Sequence, residues 1–138
     1  MKIQFIPSYL SILFFLSLST NMMAQETDEK PHPDFQAFSY EDLVKQQQEN
    51  GKPWLPFLNV PTLLTGLYVL PAGSTDRQQP HDKDEVYYVV KGKAKFQAGE
   101  KVQELKPGDV LFVKAGVSHR FLDIEEELQL IVFFTGVE

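Results

Sequence analysis

Gly73-Ser-Thr-Asp-Arg-Gln-Gln-Pro-His-Asp-Lys-Asp-Glu-Val-Tyr-Tyr-Val-Val-Lys-Gly92 carries most of the information about the architecture of this chain. It opens on polar and turn-forming residues, then passes at Glu85 into the β-branched and aromatic run Val86 to Val90, closed by a glycine. A run of this kind between turn residues reads as a strand. His81 and Glu85 stand just ahead of it. A second stretch, Gly108 to Asp123, has the same build and delivers His119 after an apolar strand and a glycine-containing turn. Two imidazoles and one carboxylate on neighbouring strands can converge on one divalent ion. That donor set suits iron, manganese, zinc, copper or nickel, and when it occupies one side of the ion it leaves positions open for substrate or oxygen.

On either side of these stretches, Thr62 to Leu70, Ala94 to Ala98, Val102 to Leu105, Val110 to Val113, His119 to Leu122 and Leu128 to Phe134 also read as strands. Turns are expected at Lys91-Gly92-Lys93, Ala98 to Lys101, Lys106 to Asp109 and Ala115-Gly116. Many short strands at intervals of about 8 to 12 residues argue an all-β sandwich or barrel. Upstream, Pro53, Pro56 and Pro61 permit only extended or edge-strand backbone around Trp54 and Phe57. Before them, Ser39-Tyr40-Glu41-Asp42 opens a short helix, with Ser39 as N-cap and acids in the first turn. Asn50-Gly51 should end it. Side chains alternate across a strand. Glu85, Tyr87 and Val89 therefore share one face, and Val86, Tyr88 and Val90 the other. If Glu85 faces the interior, so do His119 and Phe121, while Arg120 and Leu122 point out. Asp84 should then be a solvated charge, and the acidic run Asp123 to Glu127 a surface loop.

The spacing resembles the cupin superfamily. Gly73, Gln79, His81, Glu85 and Gly92 fall at the positions of its first motif, with Gln79 where the family usually has a His. Gly108, Gly116 and His119 match the second motif, with Lys114 replacing its proline and Asp123 its asparagine. Residues 93–107 between the motifs make a short spacer, as in small single-domain cupins, and the Gln-x-Pro-His-x-x-x-Glu wording resembles a subgroup of small bacterial members. The resemblance implies a double-stranded β-helix, or jelly-roll barrel, with a metal held by His81, Glu85 and His119. Gln79 is then a fourth ligand, a hydrogen-bond partner that orients His81 or a bound water, or a residue freed from metal duty. Tyr87 and Phe121 become candidates for the substrate pocket.

Residues 1–24 combine Lys2, the apolar run Ile12 to Leu18 and a small-residue end at Ala24, the pattern of a signal peptide cut before Gln25. Serines and Asn21 interrupt it too often for a membrane span, so no stable membrane insertion is expected after processing. A periplasmic or secreted protein follows. With no cysteine in the chain, neither a lipid anchor nor a disulfide framework is available. The expected organisation is a leader at 25–38, with His32 as a solvated bystander, and one domain at 39–138. Losing Lys2 from 13 cations and 19 acids leaves 12 against 19, a net charge of −7. Nucleic-acid binding is not expected, because it needs clustered Lys and Arg.

The functional expectation is a metal-dependent dioxygenase, isomerase or lyase acting on a small oxygen-rich molecule. The alternatives are a binding cupin that holds a sugar-like ligand without turnover and a structural cupin with a vestigial site. Zinc and manganese lead the expected metals, because a chain folding outside the cytoplasm takes what is supplied there. A homodimer is expected from the apolar Val86, Tyr88 and Val90 face and from Trp54 and Phe57 in the proline-bounded segment.

Overall fold

A computed structural model describes residues 34–136. The expected signal peptide, His32 and most of the leader lie outside the described residues. A helix α1 (Tyr40–Asn50) precedes six strands: β1 (Trp54–Val60), β2 (Leu63–Leu70), β3 (Glu85–Ala98), β4 (Lys101–Leu105), β5 (Val110–Val113) and β6 (His119–Thr135). All pairings are antiparallel, in the order β1-β2-β6-β3-β4, and β5 pairs with the start of β3. This is the jelly-roll fold with one short helix.

β3 and β6 are the spine. They pair from Glu85↔Phe134 to Ala98↔His119, with register shifts between Val89 and Lys95. β2 extends the sheet beside the later half of β6, while β5 and β4 flank the first and second halves of β3. A strand this long serves two parts of the sheet by bending, and the extra residues of the shifted register supply the bend. The turn expected at Lys91-Gly92-Lys93 is therefore no turn but the bulged middle of β3. Gly92 has φ 100°, and a Cβ there would run into the Glu127 carbonyl oxygen and lie 2.8 Å from the Leu128 Cα. Only glycine allows the two strands to approach so closely.

The acidic run is likewise part of β6. Asp123, Glu125 and Glu127 face Lys95, Lys93 and Lys91 of β3 at 2.8, 2.6 and 3.8 Å, while Ile124 between them is buried. Alternate charges on the solvent face of a strand look like a loop in sequence. These exposed ion pairs add little stability; their order follows from the pleat. Asp123, with φ 46°, is the one non-glycine residue of positive φ among the described residues.

The core gathers Tyr87, Val89, Phe96, Phe121, Leu128, Leu130 and Val132 from β3 and β6. On the opposite side of the sheet, Leu43 of α1 packs with Leu67 and Val69 of β2, joined by Leu55 and Phe57. The Ser39 side chain caps α1 by accepting from the Asp42 N–H at 3.4 Å, and Gly51 closes the helix in the left-handed conformation at φ 66°. Phe38, just before the cap, packs against Phe57 in a tilted pair with ring centroids 4.8 Å apart. No helix among the described residues is long and apolar enough to cross a membrane.

Candidate metal centre

The alternation that buries Tyr87 and Val89 also buries Glu85, which is 1% exposed at the start of β3. His119 opens β6 with the same inward face and is 4% exposed. His81 comes from the β2–β3 loop, 71–84, and is half-buried. Two fastenings hold that loop against the turn before β6. The Gly116 N–H donates to the His81 carbonyl at 2.7 Å, and the Ala115 N–H donates to Asp84 Oδ1 at 2.8 Å. Asp84 is thus a structural acceptor rather than a solvated charge: the loop folds back and brings an otherwise orphaned backbone donor to it.

One ligand atom from each of His81, Glu85 and His119 lies within 4.8 Å of the others. His119 Nε2 is 2.6 Å and His81 Nε2 3.2 Å from Glu85 Oε1. These approaches are close but misaligned for hydrogen bonding, so both Nε2 atoms and both Glu85 oxygens are buried without a hydrogen-bond partner. Buried polar atoms are ordinarily satisfied, and a cluster of orphans calls for an explanation. A shared cation supplies one, since all four atoms are lone-pair donors to a metal. The Val117 carbonyl lies 2.7 Å from His119 Nδ1. A carbonyl only accepts, so Nδ1 carries the proton and Nε2 offers its lone pair to the cluster. Burial opposes charge on His119, but Glu85 and the Val117 carbonyl outweigh it, and its pKa lies above the ordinary imidazole value.

Beside His81 lies a cavity of about 470 Å³. Trp54, Leu64, Tyr68, Tyr87, Val132 and Phe134 form its apolar wall, and Gln78, Gln79, Asp82 and Lys83 add polar groups. Trp54 reaches inward across Gly66, where any Cβ would meet its ring. Its edge packs on Phe134 at 5.8 Å, and Phe134 meets the His81 ring at 5.1 Å. A second, polar depression of about 350 Å³ is lined by Gln97, Ser118, His119 and Arg120. Gln78 and Gln79 border both.

Tyr87 therefore reaches the cavity wall. Phe121 does not: it stands behind Tyr87 in the core, 2% exposed, with ring centroids 5.3 Å apart. Gln79 is exposed, its amide donating at 3.4 Å to the Arg77 carbonyl. Sequence reading passed over Gln78 and Asp76. Asp76 is 7% exposed and anchors the loop that carries His81. A signal for it existed, an acid amid turn residues before the motif His, but nothing in the sequence says that its partners come from β2 and β6.

Fold and donor cluster together define a cupin barrel, and the chain belongs to the cupin family: the cupin-domain model matches residues 66–135. The chain is 40% identical over 102 residues to the uncharacterized protein SCO3923 of Streptomyces coelicolor, covering 74% of this chain and 97% of that one. Among solved structures it is similar to TT1209 of Thermus thermophilus, with TM-score 0.55 and 27% identity over 60% of this chain and 81% of that one. A variant of salicylate 1,2-dioxygenase from Pseudoaminobacter salicylatoxidans, in complex with gentisate, shares the fold with TM-score 0.62. There identity is 18%, over 71% of this chain and 33% of that one.

Proposed function

We propose that this chain is an exported metal-binding cupin in which His81, Glu85 and His119 hold one divalent ion beside a cavity for a small oxygen-rich molecule. The observation that carries the reading is the buried cluster of unpartnered donor atoms. Zinc and manganese fit best with a site filled outside the cytoplasm, and iron, nickel and copper also suit two imidazoles and a carboxylate. When bound, the ion supplies Lewis-acid activation or a meeting point for oxygen and a chelating ligand. The chain's own residues do the rest. Val117 fixes the His119 tautomer, Glu85 balances charge, and the Trp54–Phe134 wall excludes water and orients the ligand. Gln79 at the rim is better placed to hydrogen-bond a bound water than to serve as a rigid ligand. Dioxygenase, isomerase or lyase chemistry fits such a site.

A second reading, a cupin that holds a sugar-like ligand without turnover, draws on the aromatic wall, because Trp54 and Phe134 offer ring surfaces for an apolar sugar face. Chelator added to the protein isolated from its own compartment should lower Tm by several degrees, and restored metal should recover it, since a ligand at about 1,000 times its Kd adds about 4 kcal/mol. An unchanged Tm would count against the metal. Oxygen uptake or product formation on a ligand panel then separates enzyme from binder.

The outer face of β3, β5 and β6 supports the homodimer. Tyr88, Phe133, Val110 and Phe112 are exposed there, the last two at 65% each. They adjoin one another through Tyr88↔Val110, Val86↔Phe112 and Val86↔Phe133. Trp54 and Phe57, by contrast, are turned to the cavity and to the helix. Light scattering at micromolar concentration should give twice the mature mass, and Phe112→Lys should halve it. A monomeric wild type would remove the dimer from the proposal.

A further inference from the structure

Asp76 receives four hydrogen bonds: from the Tyr68 hydroxyl at 2.9 Å, the Gln78 N–H at 3.1 Å, the Gln78 Nε2 at 2.8 Å and the Phe121 N–H at 2.9 Å. Backbone N–H and amide NH₂ groups can only donate, so Asp76 is an acceptor throughout. This sets the Gln78 amide. With Nε2 turned to Asp76, Oε1 is the atom that faces the Tyr87 hydroxyl, 3.0 Å away. An amide oxygen only accepts, so in this bond the Tyr87 hydroxyl is the donor. The Tyr68 proton goes to Asp76 itself.

Both phenols line the cavity, and each has its single proton engaged by the Asp76 network. Each keeps its oxygen lone pairs and nothing to donate. The electrostatics agree. Burial first, then the charge of Asp76, holds the Tyr68 phenol protonated far above the ordinary tyrosine range. On this part of the wall, a carbonyl, ether or carboxylate oxygen would set lone pair against lone pair. A hydroxyl would donate into it. We propose that the cavity selects small molecules that bear a hydroxyl on an apolar body, and that Asp76, acting through Gln78 and Tyr68, is the positioning residue that sets this preference. The apolar body goes to Trp54, Leu64, Val132 and Phe134, and Lys83 also lines the cavity as a donor for any acceptor group. The inference rests on the small-molecule reading of the cavity and deepens it. It does not depend on the metal.

The test uses resorcinol, whose separated hydroxyls do not chelate, against 1,3-dimethoxybenzene and 1,3-difluorobenzene, which lack the donors and differ from it in size in opposite directions. Binding is measured by calorimetry on the full processed chain, once after chelator and once after zinc loading. Wild type should bind the diol roughly tenfold or more tighter than either analogue, the loss expected when a buried hydrogen bond is left unmade. Tyr68→Phe with Tyr87→Phe should bring the three within about twofold, since a phenyl ring offers no acceptor. Asp76→Asn, which gives the network an extra donor, should narrow the ratio while Tyr68→Phe alone halves it or more. Equal binding of diol and ether by wild type, no binding of any probe, or a ratio that survives in the Tyr-to-Phe variants overturns the proposal. A ratio present in both the chelated and the zinc-loaded protein keeps it standing even if the His variants show that the metal reading fails.

Discussion

In the proposed site, His81→Ala and His119→Ala are expected to abolish divalent-metal binding, and Gln79→Ala to weaken it. Each histidine removes one of three ligands, so the loss exceeds the roughly 10–100-fold that follows removal of a supporting hydrogen bond. Gln79, exposed and hydrogen-bonded to its own loop, falls within that range. Elemental analysis of the wild type and the variants decides the matter: unchanged metal in both histidine variants overturns the site, and stoichiometric iron in the wild type overturns the preference for zinc or manganese. The pH dependence gives a second readout with a definite sign. His119 has a folded pKa raised above its unfolded value of about 6.5. In metal-free protein its protonation therefore adds stability that is fully present below about pH 6.5 and is lost as pH rises through the raised pKa. Metal needs the neutral ring, so stabilisation by metal runs the other way and fades on acidification through that same range. Melts of chelated and zinc-loaded protein at pH 5.5 and pH 8 should change in opposite directions.

Gly92→Ala destabilises the fold by about 2–6 kcal/mol, from about 1–3 for a side chain held at an unfavourable φ and about 1–3 for forcing atoms into packed structure. Against a usual stability of about 5–15 kcal/mol, a loss at the upper end leaves little folded protein. The reason is specific to place. Gly92 presses on the backbone of Glu127 and Leu128 where β3 and β6 bend together. Gly99, also of positive φ but with nothing within 4 Å of its Cβ position, is the control. Gly99→Ala should cost only the conformational part. Urea denaturation of the two variants side by side checks this, and equal losses would mean that the strands do not approach closely at Gly92.

Strand character, the cap at Ser39, the end of the helix at Gly51 and the inward face shared by Glu85, Tyr87, His119 and Phe121 were all legible in the sequence. These follow from local chemistry: period-two alternation, a side chain that satisfies a backbone donor, a glycine that accepts positive φ. The motif spacing also singled out the three donors that meet. What it did not show is the continuity of β3 through Gly92 and of β6 through Asp123 to Glu127. A bulge and a turn both present glycine among charges, and only the partner strand distinguishes them. Lys91, Lys93 and Lys95 acquire their meaning when Glu127, Glu125 and Asp123 lie opposite. Folding in three dimensions placed Asp84 against the Ala115 N–H, Phe121 behind Tyr87 rather than at the cavity, and Asp76 among donors from β2, its own loop and β6. Each of those positions depends on a contact between residues far apart in the chain, for which no local pattern exists.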